Sequence, residues 1–276
     1  MTGDSQPRPR SDLAVRSAVG LGLIAVAVAA VGLGGLYFWL VVTIAALLML
    51  GEWADLHAAP AKARRLAQFA LFVPLVTMTP EWVIGETRDF FTVGLLVGAA
   101  FFVVIVSRMP KLALGVIYVG VPVLALIVIR RQLGVDGLVW TFWALALVWA
   151  TDIGAYFAGR TIGGPKLLPS VSPNKTWAGL IGGVIAAGAL AAILHVAAGL
   201  PLRLALATPF LAVLAQGGDL YESWLKRRAG VKDSGDLLPG HGGVLDRLDG
   251  LVPVAPVAAL LVVLPTVRAF LAQQFG

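Results

Sequence analysis

The sequence predicts an all-α, polytopic integral membrane protein of about nine transmembrane helices, with a polar site on its cytoplasmic side. Three observations predict it. Only 13% of the 276 residues are charged and 59% are hydrophobic, against roughly 25% charged in soluble domains, and the mean hydropathy is +0.89. Apolar runs long enough to span, at about 20 residues each, recur along the chain with short polar turns between them. Charge is gathered in one stretch, Gly218 to Asp249, which holds six of the fifteen Asp and Glu, five of the 21 Lys and Arg, and one of the three His. The absence of cysteine removes disulfide, thiolate and Cys-ligated zinc chemistry. The net charge of +6 is of the kind that inner membrane loops accumulate, and nucleic acid is not expected as a partner.

In chain order, residues 1–12 read as a polar cytoplasmic tail, 13–137 as N-terminal transmembrane helices, and 138–276 as a C-terminal transmembrane region carrying the charged segment 223–249. No cleavable signal peptide is expected, because the first apolar run passes straight into a second. Leu13–Leu33 and Leu36–Leu50 form a hairpin turning at Gly34-Gly35, followed by a polar loop from Glu52 to Arg65. Leu66–Thr79 and Phe90–Ser107 are joined by the acidic stretch Pro80–Asp89, and a tight Arg108–Lys111 turn leads into Leu112–Ile129. Leu138–Phe157, Trp177–Leu200, Leu202–Gly217 and Gly250–Phe270 complete the set. Gly179, Gly182, Gly183 and Ala187 make a small-residue face suited to close helix packing. Trp140, Trp143 and Tyr156 fit interfacial anchoring or packing better than base stacking.

Basic residues orient the array. With the N-terminus inside, nine crossings leave only Arg88, Arg130, Arg131, Arg203 and Arg268 of the 21 Lys and Arg outside. All the chemistry-bearing stretches then face the cytoplasm of a bacterial-type inner membrane.

Three such stretches stand out. In Thr151–Arg160, Asp152 follows an uncharged apolar run, which points it to the interior or a cavity; a helix-end carboxylate at the membrane surface is the alternative. In Lys166–Trp177, Ser172 or Asn174 is placed to cap the next helix with Thr176 in its first turn, and Lys175 beside that N-terminus makes an anion site; a plain cap with an inner lysine reads equally well. In the third, Asp219, Glu222, Ser223 and Lys226 share one helical face, as do Asp246 and Asp249, with the turn Pro239–Gly243 between them. Two carboxylate-bearing helix ends with cations between them suit a metal and phosphates.

The spacing Ser223-x-Leu225-Lys226-Arg227, Lys232-Asp233-x-Gly235, Leu238-Pro239-x-His241-Gly242-Gly243-Val244-x-Asp246-Arg247-Leu248-Asp249 resembles the signature of the phosphatidate cytidylyltransferases, or CDP-diacylglycerol synthases. The stretches TDIGAYFAGR and SPNKTWAG resemble two further blocks of that family, so the resemblance covers about residues 138 to 249. Ala178 stands where the family often has Glu, and Ile153 where it usually has Thr.

The resemblance implies cytidylyl transfer from CTP to phosphatidic acid in the bilayer, with Mg2+ as cofactor, a second, monovalent cation, and a homodimer. It assigns Asp219 and Asp246, with Asp249, as metal ligands and Asp152 as a neighbouring catalytic carboxylate. Lys175, Lys226, Arg227, Lys232 and Arg247 would hold phosphates, with Ser172, Ser223, Gly242 and Gly243 lining the substrate. His241 would donate to a phosphate, and Asp233 would orient a cation or meet the base. Two other classes compete: a CTP-dependent polyprenol or phytol-type lipid kinase, and a secondary transporter. The transporter is disfavoured because the charges gather at one face and no inverted repeat is visible.

Overall fold

The computed structural model describes residues 11–80, 83, 89–132, 134–237 and 242–275. The expected tail up to Arg10, Arg88 and the Pro239–His241 part of the glycine-rich turn lie outside the described residues. Helices α1 (Ser11–Leu33) and α2 (Gly35–Leu56) form the expected hairpin, with Gly34 and Gly35 both at positive φ. α3 (Ala61–Val76), α4 (Asp89–Ser107) and α5 (Pro110–Arg130) follow, the last starting with Pro110 in its first turn, where the missing amide costs nothing.

The predicted polar loop 52–65 is the largest local departure. α2 runs on to Leu56 and α3 already starts at Ala61, so Lys62, Arg64 and Arg65 are helical. Packing overrides polarity here, because Glu52, Trp53 and Ala54 are all buried and Trp53 Nε1 donates to the Lys111 carbonyl at 2.9 Å.

α6 (Gly134–Thr161) leads into a two-stranded antiparallel hairpin, β1 (Lys166–Leu168) and β2 (Ser172–Thr176), which the sequence reading lacked. α7 (Trp177–Ala198) begins directly after it. Neither Ser172 nor Asn174 caps α7; Thr176, the last residue of β2 and the one immediately before the helix, is the cap, its Oγ1 accepting from the Gly179 amide at 3.0 Å. α8 (Leu202–Arg228) continues past the predicted end at Gly217. Its 27 residues reach about 40 Å, longer than the roughly 30 Å of hydrocarbon, so an end projects into the aqueous interface. The short α9 (Leu245–Leu248) and α10 (Leu251–Phe275) close the chain.

Among the described residues six helices are long and apolar enough to cross a membrane (α2, α5, α6, α7, α8 and α10), against about nine expected. α3 is only 16 residues and carries Lys62, Arg64 and Arg65, while α1 and α4 are helices of 23 and 19 residues.

α6 and α7 make the most extensive helix pair. Their approach depends on small residues as predicted: a Cβ on Gly183 would lie 2.7 Å from the Thr151 carbonyl, and one on Gly154 would lie 2.5 Å from Ala186 Cβ. α8 packs on α7 and α10, and α10 on α5, which gathers the charged segment beside this pair. Trp143 packs rather than anchors, being fully buried with its Nε1 donating to Thr208 Oγ1 at 3.0 Å.

Candidate active site

A cavity of about 610 Å³ opens where the three sequence blocks meet. α6 lines it with Asp152, Tyr156, Gly159 and Arg160; β2 and α7 with Asn174, Lys175, Thr176 and Gly179; α8 with Gln216 and Asp219. Its size falls among ligand pockets of roughly 300 to 1,000 Å³. Asp152 and Tyr156 both line the cavity, the Tyr156 ring lying under the Arg160 guanidinium at 5.9 Å with its hydroxyl accepting from that group at 2.8 Å.

On the cavity wall, Lys175 Nζ pairs with Asp219 Oδ2 at 2.5 Å. Gln216 Nε2 donates to Asp152 Oδ1 at 3.3 Å, and Ser223 Oγ donates to Asp219 Oδ1 at 3.3 Å. These contacts need α8 to be helical through Ser223, because one face then carries Gln216, Asp219 and Ser223 at three- and four-residue spacing.

A second cluster surrounds Lys226. Its ammonium bridges Glu222 Oε2 at 2.6 Å, one helical turn back, and Asp246 Oδ1 at 2.5 Å. Asp246 Oδ2 accepts from the Ser234 amide at 2.8 Å, Ser234 Oγ at 2.9 Å and the Gly243 amide at 2.8 Å. Burial works to raise the Asp246 carboxyl, but the Lys226 ammonium and the two amides outweigh it and hold its pKa at about 2. Lys226 is therefore engaged by two carboxylates and is not among the cavity-lining residues.

Asp249 stands between the clusters. Its carbonyl meets the space in front of Gly218, next to Asp219, and its Oδ1 accepts from the Gly250 amide at 2.6 Å. Burial, then the like charge of Asp219, Glu222 and Asp152, pushes its carboxyl well above the usual carboxylate range. Such a corner favours a cation. Among the described residues no three His, Asp or Glu side chains sit close enough together to hold a metal by themselves. Mg2+ commonly takes one or two carboxylates plus substrate phosphates, so Asp219 and Asp249 fit it, Asp219 by exchanging its Lys175 and Ser223 contacts, while Asp246 would have to release Lys226 from Oδ1.

The remaining expected residues are spread out. Arg227, Lys232, Asp233 and Arg247 are exposed around the clusters, and Gly242, at φ 77, turns the chain against Asp246. Ser172 lies in β2 away from the cavity lining, and His241 lies outside the described residues. The sequence reading missed Gln216, Ser234, Arg160 and Glu52 as members of the site. Glu52 carried a readable signal, a lone acid continuing an otherwise apolar run.

Residues 14–264 match the cytidylyltransferase family. A protein named phosphatidate cytidylyltransferase from Brucella suis biovar 1 (strain 1330) is 43% identical over 239 residues, covering 82% of this chain and 84% of that protein. One of the same name from Bacillus subtilis (strain 168) is 42% identical over 200 residues, 71% and 68% of the two chains, and one from Rickettsia felis is 32% identical over 213 residues, 72% and 92%. With the match running from the first helix to the last, and with relatives at 42–43% identity over most of the chain, the chain belongs to the cytidylyltransferase family.

Proposed function

We propose that the protein transfers the cytidylyl group of CTP to phosphatidic acid, giving CDP-diacylglycerol and pyrophosphate. A phosphate oxygen of phosphatidate attacks the α-phosphorus of CTP; the new P–O bond forms as the bond from that phosphorus to the β-phosphate bridge breaks, and pyrophosphate leaves with the electron pair. Phosphate monoesters have a second pKa near 6, so the nucleophile is already ionised at neutral pH and no general base is needed. The difficulty is bringing anions together and stabilising charge on the leaving group. Mg2+, when held by Asp219 and Asp249 with Asp246 beside them, supplies charge neutralisation on the phosphates. Lys175 and Arg160 bring an ammonium and a guanidinium fork to the cavity wall. The supporting observation is the Lys175–Asp219 pair, an ammonium and a carboxylate side by side on one cavity wall, which suits a phosphate and a metal.

In this reading the cavity opens on the cytoplasmic face of the inner membrane, where CTP is found. α1, α3 and α4 complete nine crossings, the 16-residue α3 as a short span that local bilayer thinning accommodates. The protein works as a homodimer, with a monovalent cation as the second metal.

CTP labelled at its α-phosphate or its γ-phosphate, incubated with vesicles holding both phosphatidate and a polyprenol and with the purified protein, tests the reaction. Cytidylyl transfer puts the α label and not the γ label into lipid. A γ label in lipid would show a kinase, and no lipid label would leave neither enzyme.

A further inference from the structure

We propose that Glu52, in the N-terminal half of the chain, is a positioning residue for the reaction: its carboxylate clamps Ser234, Val244 and Leu245 so that Asp246 and Asp249 stand against α8. The inference rests on the cytidylyl-transfer reading and adds to it a residue outside all three signature blocks.

Glu52 is 6% exposed. Its Oε1 accepts from the Val244 amide at 2.8 Å, and its Oε2 from the Leu245 amide at 2.7 Å and from Ser234 Oγ at 3.3 Å. Val244 and Leu245 open α9, where backbone amides lack helical partners and attract an anion. The chain supplies that anion from nearly 200 residues away.

Two signature glycines leave room for it. A Cβ on Gly243 would lie 2.6 Å from Glu52 Oε2, and one on Gly235 would lie 3.1 Å from Glu52 Cγ. Their small size has a physical cause in the position of this carboxylate.

Glu52 is itself fixed. Trp53, the next residue, stacks at 4.7 Å on Tyr118 of α5, which meets Tyr221 of α8 at 5.7 Å. Thus α2, α5 and α8 form one frame, and the segment carrying Asp246 is tied to that frame by Glu52 at one point and by Lys226 at another. Ser234 joins the two ties, its hydroxyl lying within reach of both Glu52 and Asp246. The cavity lined by Asn174, Lys175 and Asp219 does not include Glu52. Loss of the clamp is therefore expected to disturb turnover more than nucleotide binding.

Glu52→Gln keeps the shape but turns one acceptor oxygen into a donor facing other donors, so only part of the set stays paired. Because the chain has no cysteine, a spin label on Leu237→Cys, at an exposed position in the segment, reports its order in otherwise native protein. The expected results for Glu52→Gln are a kcat at least tenfold lower, a KM for CTP within about twofold of the unaltered protein, a melting temperature little changed, and a more mobile label. Glu52→Asp, which keeps both oxygens, should fall between, and it carries the test if the Gln variant does not fold. An unchanged kcat, an unchanged label spectrum, or a loss expressed in KM for CTP with kcat retained would overturn the proposal. If the unaltered protein made no CDP-lipid, the reaction would be wrong, yet label mobility in Glu52→Gln would still decide whether Glu52 orders the segment.

Discussion

Lys175 Nζ and Asp219 Oδ2 form an ion pair that joins the β-hairpin to the middle of α8, with side chains only 17% and 31% exposed. The pair sits on the cavity wall, where a nucleotide's phosphates would compete for Lys175 and a metal for Asp219. Asp219→Asn keeps the shape and removes the charge, and is expected to lower kcat/KM by more than about a hundredfold, roughly 2.7 kcal/mol of transition-state stabilisation. Since the two side chains act as a unit, Lys175→Met combined with Asp219→Asn should cost much less than the sum of the single changes. Steady-state kinetics on all three variants measure this, and strict additivity would place the two residues in separate roles.

Lys226 and Arg227 are neighbours with different surroundings. Lys226 is held between the fully buried Glu222 and the nearly buried Asp246, whereas Arg227 is exposed. Removing one partner from a buried ionic cluster typically costs about 3 to 5 kcal/mol. Lys226→Met should therefore lower thermal stability sharply and abolish turnover. Arg227→Gln should leave the melting curve in place and act, if at all, through the KM for an anionic substrate. Matching melting curves for the two variants would show that Lys226 is not structural.

How far the sequence anticipates this arrangement depends on how local the interaction is. The Asp219–Ser223 and Glu222–Lys226 contacts follow from helical spacing, and the Gly34 turn from a dipeptide, so both kinds are readable over a few residues. The Glu52 contacts to Val244 and Leu245 span nearly the whole chain, and no local pattern encodes them. The β1–β2 hairpin was hidden for another reason. A run holding Pro173, Asn174 and Thr176 reads as loop and cap chemistry, and only pairing with Lys166–Leu168 makes it a strand.

The number of crossings has a direct consequence for the chain ends. Nine crossings put residue 1 and residue 276 on opposite sides, whereas six put them on the same side. Reporters fused after Arg65 and after Gly276 are expected to be active on the inner and outer faces respectively. A cytoplasmic signal from both would remove α3 or α4 from the membrane, since α1 precedes both reporters.

Gly242 and Gly230 separate backbone strain from damage to the Asp246 cluster. Both are left-handed, at φ 77 and φ 75, a conformation costing an L-residue roughly 1 to 2 kcal/mol. A Cβ at Gly230 meets nothing within 4 Å, while one at Gly242 would lie 2.7 Å from Asp246 Oδ2 and 3.4 Å from Asp233 Cβ. The oxygen it would strike already accepts from Ser234 and Gly243, so the carboxylate can move only by giving up those bonds or its hold on Lys226. Gly230→Ala and Gly242→Ala should thus share a small loss of thermal stability from strain, but Gly242→Ala should lose at least tenfold more turnover. If the two variants lose the same turnover, strain alone accounts for both, and the position of Asp246 against Lys226 does not govern the reaction.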